Sequence, residues 1–393
     1  FLSSINVAKI DKLRLLKNNS YFYWIIILLY FDSLLLPLKY NFVSMFENAN
    51  NRTELSSLGE FGLIRQLEKA VEINNKETLK GIGDDAAVVN LNNDENVQLI
   101  TTDMLLEGVH FDLVYCPLKH LGYKAVVVNL SDIYAMNGQP KQIVVGLGLS
   151  NRFSLEAIEE LFNGMLIACK HYGVDLIGGD TTSSRSGLVI SVTAIGTAKK
   201  NDVVYRNSAQ ENDLICVSGD LGAAYLGLQL LNREKKVFLD SPGVQPDFQG
   251  NDYLLERQLK PEARKEIIEA LKNTGVKPTA MIDISDGLAS EIMHICTQSE
   301  KGCTIYEAKI PIDEKTFNLA REFNLDPTVC AMNGGEDYEL LFTINQKDFE
   351  KINRVADISI IGHITAKEEG YYMLDKSDRK VALKAQGWDA LKS

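Results

Sequence analysis

From residue 57 onward the chain alternates two hydrophobic rhythms. Short runs that are apolar at every second position, or apolar throughout, are interleaved with longer stretches whose apolar residues recur every three or four positions. Strand side chains repeat every two residues and helical ones every 3.6, so the alternation predicts an α/β or α+β fold. The first rhythm predicts strands at residues 86–91, 97–102, 142–149, 175–177 and 188–197, and again at 214–218, 280–284, 303–308, 339–344 and 358–364. The second predicts helices at residues 61–71, 119–136, 154–172, 223–231, 261–273, 288–297 and 314–323, with Gly173 stopping the third. Polarity rises between residues 199 and 213, which places a domain boundary near Tyr205. The expected organisation is an N-terminal extension (1–50), an N-terminal domain (51–205) and a C-terminal α/β domain (206–393), with residues 240–252 a polar insertion of unknown role.

Residues 1–45 break this pattern. Lys9, Lys12, Arg14 and Lys17 precede an apolar stretch at 21–43, which Asp32 and Pro37 interrupt, so its clean run is well short of the roughly 18 to 20 residues that span a bilayer. Three readings remain open: a region upstream of Met45 translated by an over-long gene model, an interfacial or signal anchor, and a helix packed on the body.

Composition narrows the class of function. At 393 residues with 45% hydrophobic and 24% charged residues, the chain is sized and built like a folded two-domain protein. Its net charge of −12 argues against a nucleic-acid groove, which needs concentrated Lys and Arg. An acidic protein that handles an anionic substrate must screen it locally, and divalent cations do that. Cys116, Cys169, Cys216, Cys296, Cys303 and Cys330 form no C-x-x-C pair and sit mostly in apolar surroundings, which fits reduced thiols in a cytoplasmic protein. No membrane is expected for the body of the chain.

The common nucleotide-binding signatures are missing: there is no G-x-x-x-x-G-K-[ST], no G-x-G-x-x-G and no protein-kinase set. What recurs is an Asp beside small or polar residues at the end of an apolar run. The five instances are Gly81-Ile82-Gly83-Asp84-Asp85, Thr101-Thr102-Asp103, Asn129-Leu130-Ser131-Asp132, Gly178-Gly179-Asp180-Thr181-Thr182 and Asp283-Ile284-Ser285-Asp286-Gly287. Asp offers a short, rigid oxygen ligand for a hard cation, and magnesium bridges such carboxylates to substrate phosphates. Taken singly, each segment reads equally well as a turn or a helix cap. Asp132 is harder to dismiss, because it falls inside a predicted helix, where an inward-facing charge is costly without a partner. Asp283 and Asp286 either share a helical face or flank a strand-to-helix turn. Asn333-Gly334-Gly335-Glu336-Asp337, His110 and Arg206 are further candidates, with structural roles as the alternative for each.

The ordered set GIGDDAAVV, TTDMLLEGVHF, VNLSDIYAMNGQP, LIGGDTT, IDISDGL and NGGEDYELLF resembles the thiamine-monophosphate kinases. These belong to a superfamily that also holds aminoimidazole ribonucleotide synthetase, selenophosphate synthetase and a hydrogenase-maturation protein. The resemblance implies a two-domain synthetase-like fold whose N-terminal domain sheets pair in a dimer barrel. It implies ATP-dependent phosphorylation of thiamine monophosphate to thiamine diphosphate by direct in-line transfer, with several Mg2+ ions. Metal positions then fall on Asp84, Thr101, Thr102, Asp103, Asp132, Asp180, Asp283 and Asp286, of which Asp132, Asp180 and Asp286 are the catalytic set. Nucleotide contacts fall on Gly179, Asp180, Arg206 and Ser285, and the thiamine-phosphate side on His110, Glu336 and Trp388. Tyr205-Arg206-Asn207-Ser208-Ala209 departs from the Arg-x-Gly-Ala sequence common in the family. The competing readings are another ATP-dependent enzyme of the superfamily and a non-catalytic nucleotide or thiamine-phosphate binding protein.

Overall fold

Strands and helices alternate through two β-sheets in the computed structural model, which describes residues 55–92, 95–241 and 243–386. The apolar stretch at 21–43 and Trp388 lie outside the described residues. The described residues from Glu60 onward form one compact unit that contains both sheets.

The first sheet holds β1 (Thr78–Lys80), β2 (Ala87–Val89), β3 (Asn96–Leu106), β4 (Gln139–Leu149), β5 (Asp175–Ser183) and β6 (Val189–Lys199), in the order β1-β2-β3-β6-β4-β5. All pairings are antiparallel except β4 with β5. Along β6, Ile190, Val192 and Ala194 are buried while their neighbours are half-exposed, the period-two signature of a sheet covered on one face. The second sheet holds β7 (Leu214–Ser218), β8 (Ala280–Asp283), β9 (Gly302–Tyr306), β10 (Leu340–Ile344), β11 (Ile358–Thr365), β12 (Tyr371–Leu374) and β13 (Lys380–Ala382), in the order β13-β12-β9-β11-β7-β10-β8. Its strands β7 and β10 are mostly apolar and buried because both faces are covered. Cys216 and Phe342 join one core cluster, Ile215, Val217 and Leu341 the other.

The helices are α1 (Leu55–Glu68), α2 (Leu118–Ala135), α3 (Leu155–Tyr172), α4 (Ala223–Asp240), α5 (Asp252–Leu259), α6 (Lys265–Thr274), α7 (Leu288–Ser299), α8 (Glu314–Glu322), α9 (Pro327–Asn333) and α10 (Phe349–Ile352). α2 organises the molecule. Fourteen of its 18 residues are buried, and it packs on β3, β4 and β6 of one sheet while touching β8 of the other. A helix apolar nearly all round must be enclosed on every side. Its contact with α3 is unusually close: a Cβ added at Gly164 would lie 1.9 Å from Lys119 O, and one at Gly122 would lie 2.0 Å from Leu161 O.

Several expected boundaries move. The strand expected at 175–177 runs on to Ser183, so Gly178-Gly179-Asp180-Thr181-Thr182 is strand and not a turn. Thr101-Thr102-Asp103 likewise lies inside β3. α4 extends to Asp240, and α5 occupies residues expected to belong to a polar insertion or to have no helix of their own. β12, β13 and α9 were not expected from periodicity; each is seven residues or shorter.

Candidate active site

Asp132 occupies the last turn of α2, where its Oδ2 accepts a 2.6 Å hydrogen bond from Thr101 Oγ1 on β3. One residue earlier, Ser131 Oγ donates to Asp283 Oδ2 at the end of β8, also at 2.6 Å. Asn129 Oδ1 accepts from the Asp103 backbone N–H at 3.0 Å. A single helix thus registers β3 from one sheet against β8 from the other, through side chains one turn apart.

Carboxylate oxygens of Asp85, Asp132 and Asp283 lie within 4.8 Å of one another. Burial, reinforced by neighbouring carboxylates, pushes Asp283 up to about 7 and Asp103 up to about 6, and drives Asp132 well above the usual carboxylate range. Mutual repulsion among desolvated acids raises each one's affinity for a proton or a cation. Asp84 is pushed up to about 7, first by burial, and its Oδ2 is buried with no hydrogen-bond partner. Arg206 does not stand free: its guanidinium grips Asp85 with two nitrogens, Nε at 3.1 Å from Oδ2, and its backbone N–H donates to Asp84 Oδ1 at 3.3 Å.

Asp283 and Asp286 flank a strand-to-helix turn, the second of the two geometries expected. Gly287 closes it at φ 116°, and a Cβ there would press on Asn333 and Met332 at 3.0 Å. The buried Glu291 in the first turn of α7 accepts the Asp286 N–H at 3.0 Å through Oε1, and its Oε2 has no partner. This turn is zipped to the segment before β10: Glu336 N–H donates to Ser285 O at 2.7 Å, and Tyr338 N–H to Ile284 O at 2.9 Å. Glu336 and Tyr338 both adopt positive φ (66° and 52°), a strained conformation for residues with side chains. Asp337 between them anchors the strain by accepting from Gly222 N at 2.7 Å and Ala224 N at 3.3 Å at the start of α4.

A cavity of about 750 Å³ opens above these elements, and Asp103, Asp132, Asp283, Ser285, Asp286, Glu336 and His110 all line it. His110 Nδ1 accepts the Leu106 N–H at 3.0 Å, which leaves the proton of the neutral ring on Nε2. Burial holds that ring below the usual histidine range. Glu336 is met from the far side by Lys124 Nζ at 2.9 Å and Gln258 Nε2 at 2.6 Å.

Not every expected residue lines the cavity. Asp84, Thr101 and Arg206 do not, although Thr101 bonds Asp132 and Arg206 bonds Asp85; Thr102 is exposed, with its hydroxyl donating to Val192 O at 3.0 Å. Gly179 and Asp180 are exposed on the edge strand β5. In register, Asp180 faces Gly146, which faces Ser191, which faces Met104, so β5 lies three strands, about 14 Å, across the sheet from β3. A Cβ at Gly179 would lie 2.0 Å from Val145 O, so close strand packing by itself demands glycine there. Sequence reasoning missed Asp85, Lys124, Gln258 and Glu291. For Asp85 the signal was its place in the Asp-Asp pair, and for Lys124 and Glu291 a charged residue inside an otherwise apolar helical stripe; Gln258, in the mostly polar α5, gave none.

Residues 83–198 match the family model described as AIR synthase related protein, N-terminal domain. The thiamine-monophosphate kinase of Buchnera aphidicola subsp. Schizaphis graminum is 35% identical over 338 residues, covering 84% of this chain and 98% of the relative. That of Bacillus subtilis is 32% identical over 340 residues, covering 85% and 100%. The solved structure of AaThiL complexed with AMPPCP and TMP superposes with a TM-score of 0.74 at 31% identity, covering 86% of this chain and 99% of that one. Relatives above 30% identity are matched over nearly their whole length, and the chain therefore belongs to the thiamine-monophosphate kinase family.

Proposed function

We propose that this chain transfers the γ-phosphate of ATP directly to thiamine monophosphate, giving thiamine diphosphate and ADP, with magnesium as the required cation. One observation carries the reading: acids from both sheets meet at one wall of a cavity whose other wall presents His110 and Glu336. Curated relatives bearing the kinase name, and a neighbour complexed with AMPPCP and TMP, support the same reaction.

Buried oxygen donors with a strong affinity for protons suit a hard divalent cation, and Asp85, Asp103, Asp132 and Asp283, with Asp84 and Asp286 beside them, are the residues to hold it. Bound there, magnesium neutralises phosphate charge and orients the reacting oxygens. The rest is positioning by the protein. A phosphate acceptor is ionised at neutral pH, so direct transfer needs no protein nucleophile or strong base. His110 offers a neutral N–H and Glu336 an acceptor for the thiamine moiety. Arg206, held by Asp85, supplies positive charge behind the cluster on the nucleotide side.

The reading also covers the assembly and the division of the chain. We infer a homodimer in which β5 is covered, because its residues are exposed along nearly its whole length and an uncovered edge strand invites pairing with another chain. Gly179 and Asp180 on that edge would then act at the site of an assembled dimer. Residues 51–205 and 206–393 are the two domains proposed, one around each sheet. A cytoplasmic setting suits the six free, buried cysteines and the absence, among the described residues, of any helix long and apolar enough to cross a membrane.

The test is ADP release by the purified chain with ATP, magnesium and thiamine monophosphate. No turnover despite tight binding of both ligands would make it a binding protein. A phosphorylated enzyme trapped by rapid quench would refute direct transfer.

A further inference from the structure

Glu336 meets the cavity with both carboxylate oxygens already engaged. Lys124 Nζ lies 2.9 Å from Oε1 and Gln258 Nε2 lies 2.6 Å from Oε2. Lys124 is buried, with 3% of its surface exposed, and also donates to the Gln258 backbone carbonyl at 3.1 Å, so the three residues form one closed unit. The ammonium cancels the carboxylate's charge where it stands. A neutralised carboxylate is a poor counter-ion for a cation, yet each oxygen keeps a lone pair for a neutral N–H donor.

Position agrees with this. Lys124, Val128 and Asp132 follow one another at four-residue spacing along α2, and Val128 and Asp132 line the cavity. The backbone of Lys124 is eight residues, about 12 Å of helix rise, from that of Asp132 at the acidic wall. An acceptor whose phosphate lies at the acidic wall therefore directs its phosphate-distal end toward Lys124 and Glu336. In thiamine monophosphate that end is the aminopyrimidine, a neutral ring with an exocyclic amino group, and the cationic thiazolium lies between.

We propose that Lys124 and Gln258 hold Glu336 as a neutral hydrogen-bond acceptor for the amino group of the aminopyrimidine, which makes Lys124 the positioning residue that sets acceptor specificity. This rests on the proposed kinase reaction. Lys124 touches no reacting atom; it acts through Glu336.

The probe is the acceptor pair thiamine monophosphate and oxythiamine monophosphate, in which a carbonyl replaces the amino group. With the unmodified chain, kcat/KM for the amino acceptor should exceed that for the oxo acceptor by about 100-fold or more, because a carbonyl placed against the carboxylate finds no donor and sets one acceptor against another. Lys124→Met should raise KM for thiamine monophosphate about tenfold or more and collapse the discrimination, with KM for ATP unchanged and Lys124→Arg restoring part of the loss. Should Lys124→Met fail to fold, Gln258→Met breaks the same unit from α5 and should give the same collapse. Equal use of the two acceptors by the unmodified chain overturns the inference while leaving the kinase reading intact. So does a variant, of either residue, that folds, loses kcat and keeps its discrimination. Absence of turnover with thiamine monophosphate itself overturns the kinase reading first.

Discussion

Replacing Asp132 by Asn should make the metal-free protein more stable while removing its response to magnesium and its activity. The amide keeps an oxygen to accept from Thr101 Oγ1, so the 2.6 Å bond between β3 and α2 survives and only the charge is lost. In the unmodified chain Asp85, Asp132 and Asp283 offer oxygens within 4.8 Å of one another, and two unit charges at that separation repel by about 3.5 kcal/mol at an effective dielectric near 20. Shared protons relieve most of that repulsion, so the net gain from removing one charge is about 1 to 2 kcal/mol. For a chain of this size that is a rise of about 1 to 3 °C in melting temperature. The assay is a thermal melt in chelator followed by a magnesium titration, with ADP release measured on the same samples. The unmodified protein should gain about 2.7 kcal/mol at a magnesium concentration 100 times its dissociation constant, and the variant much less. A variant that melts lower than the unmodified chain in chelator, or keeps the full magnesium shift, would refute the assignment of Asp132 to a strained cation site.

The same triad should respond oppositely at Asp85, because Arg206 grips that carboxylate. Asp85→Asn leaves a largely buried guanidinium short of its anion, and should lower stability by about 3 kcal/mol and weaken magnesium activation, read from the melt and from the half-saturating magnesium concentration. pH should act through Asp84 and Asp283, pushed up to about 7, and Asp103, pushed up to about 6. The fold retains protons there that the unfolded chain releases near pH 4. Their contribution to stability is therefore complete below about pH 4 and lost as pH rises through 7. Metal-free melting temperature should fall between pH 6 and pH 8 while the magnesium shift grows; a metal-free protein that becomes more stable over that range would contradict the assignment. Gly164→Ala should force α2 and α3 apart, since the new Cβ would lie 1.9 Å from Lys119 O. A loss of about 1 to 3 kcal/mol in a denaturant titration is expected, with reduced activity because α2 carries Asp132.

What the sequence determined by itself was local or periodic. Hydrophobic period set the class of fold and most elements, and Asp132 was conspicuous because an acid inside an apolar helix has no local explanation. The ordered motifs were enough to point to the thiamine-monophosphate kinases, the family to which the chain belongs. Local reading failed at Gly178-Gly179-Asp180, where glycines suggested a turn but β4 pairs along the whole segment and makes it a strand. It failed also for α5 and α9, eight and seven residues long, whose stability comes from packing more than from their own sequence. Only the tertiary structure decided which acids share a site. Asp85 and not Asp84 joins Asp132 and Asp283, because the choice depends on which way each side chain leaves the turn and on where Arg206 lies. Likewise Lys124, Gln258 and Glu336 are far apart in the chain and meet only when α2, α5 and the segment before β10 close on one cavity. Charge pairing at that distance follows from how the elements stack, which no periodicity records.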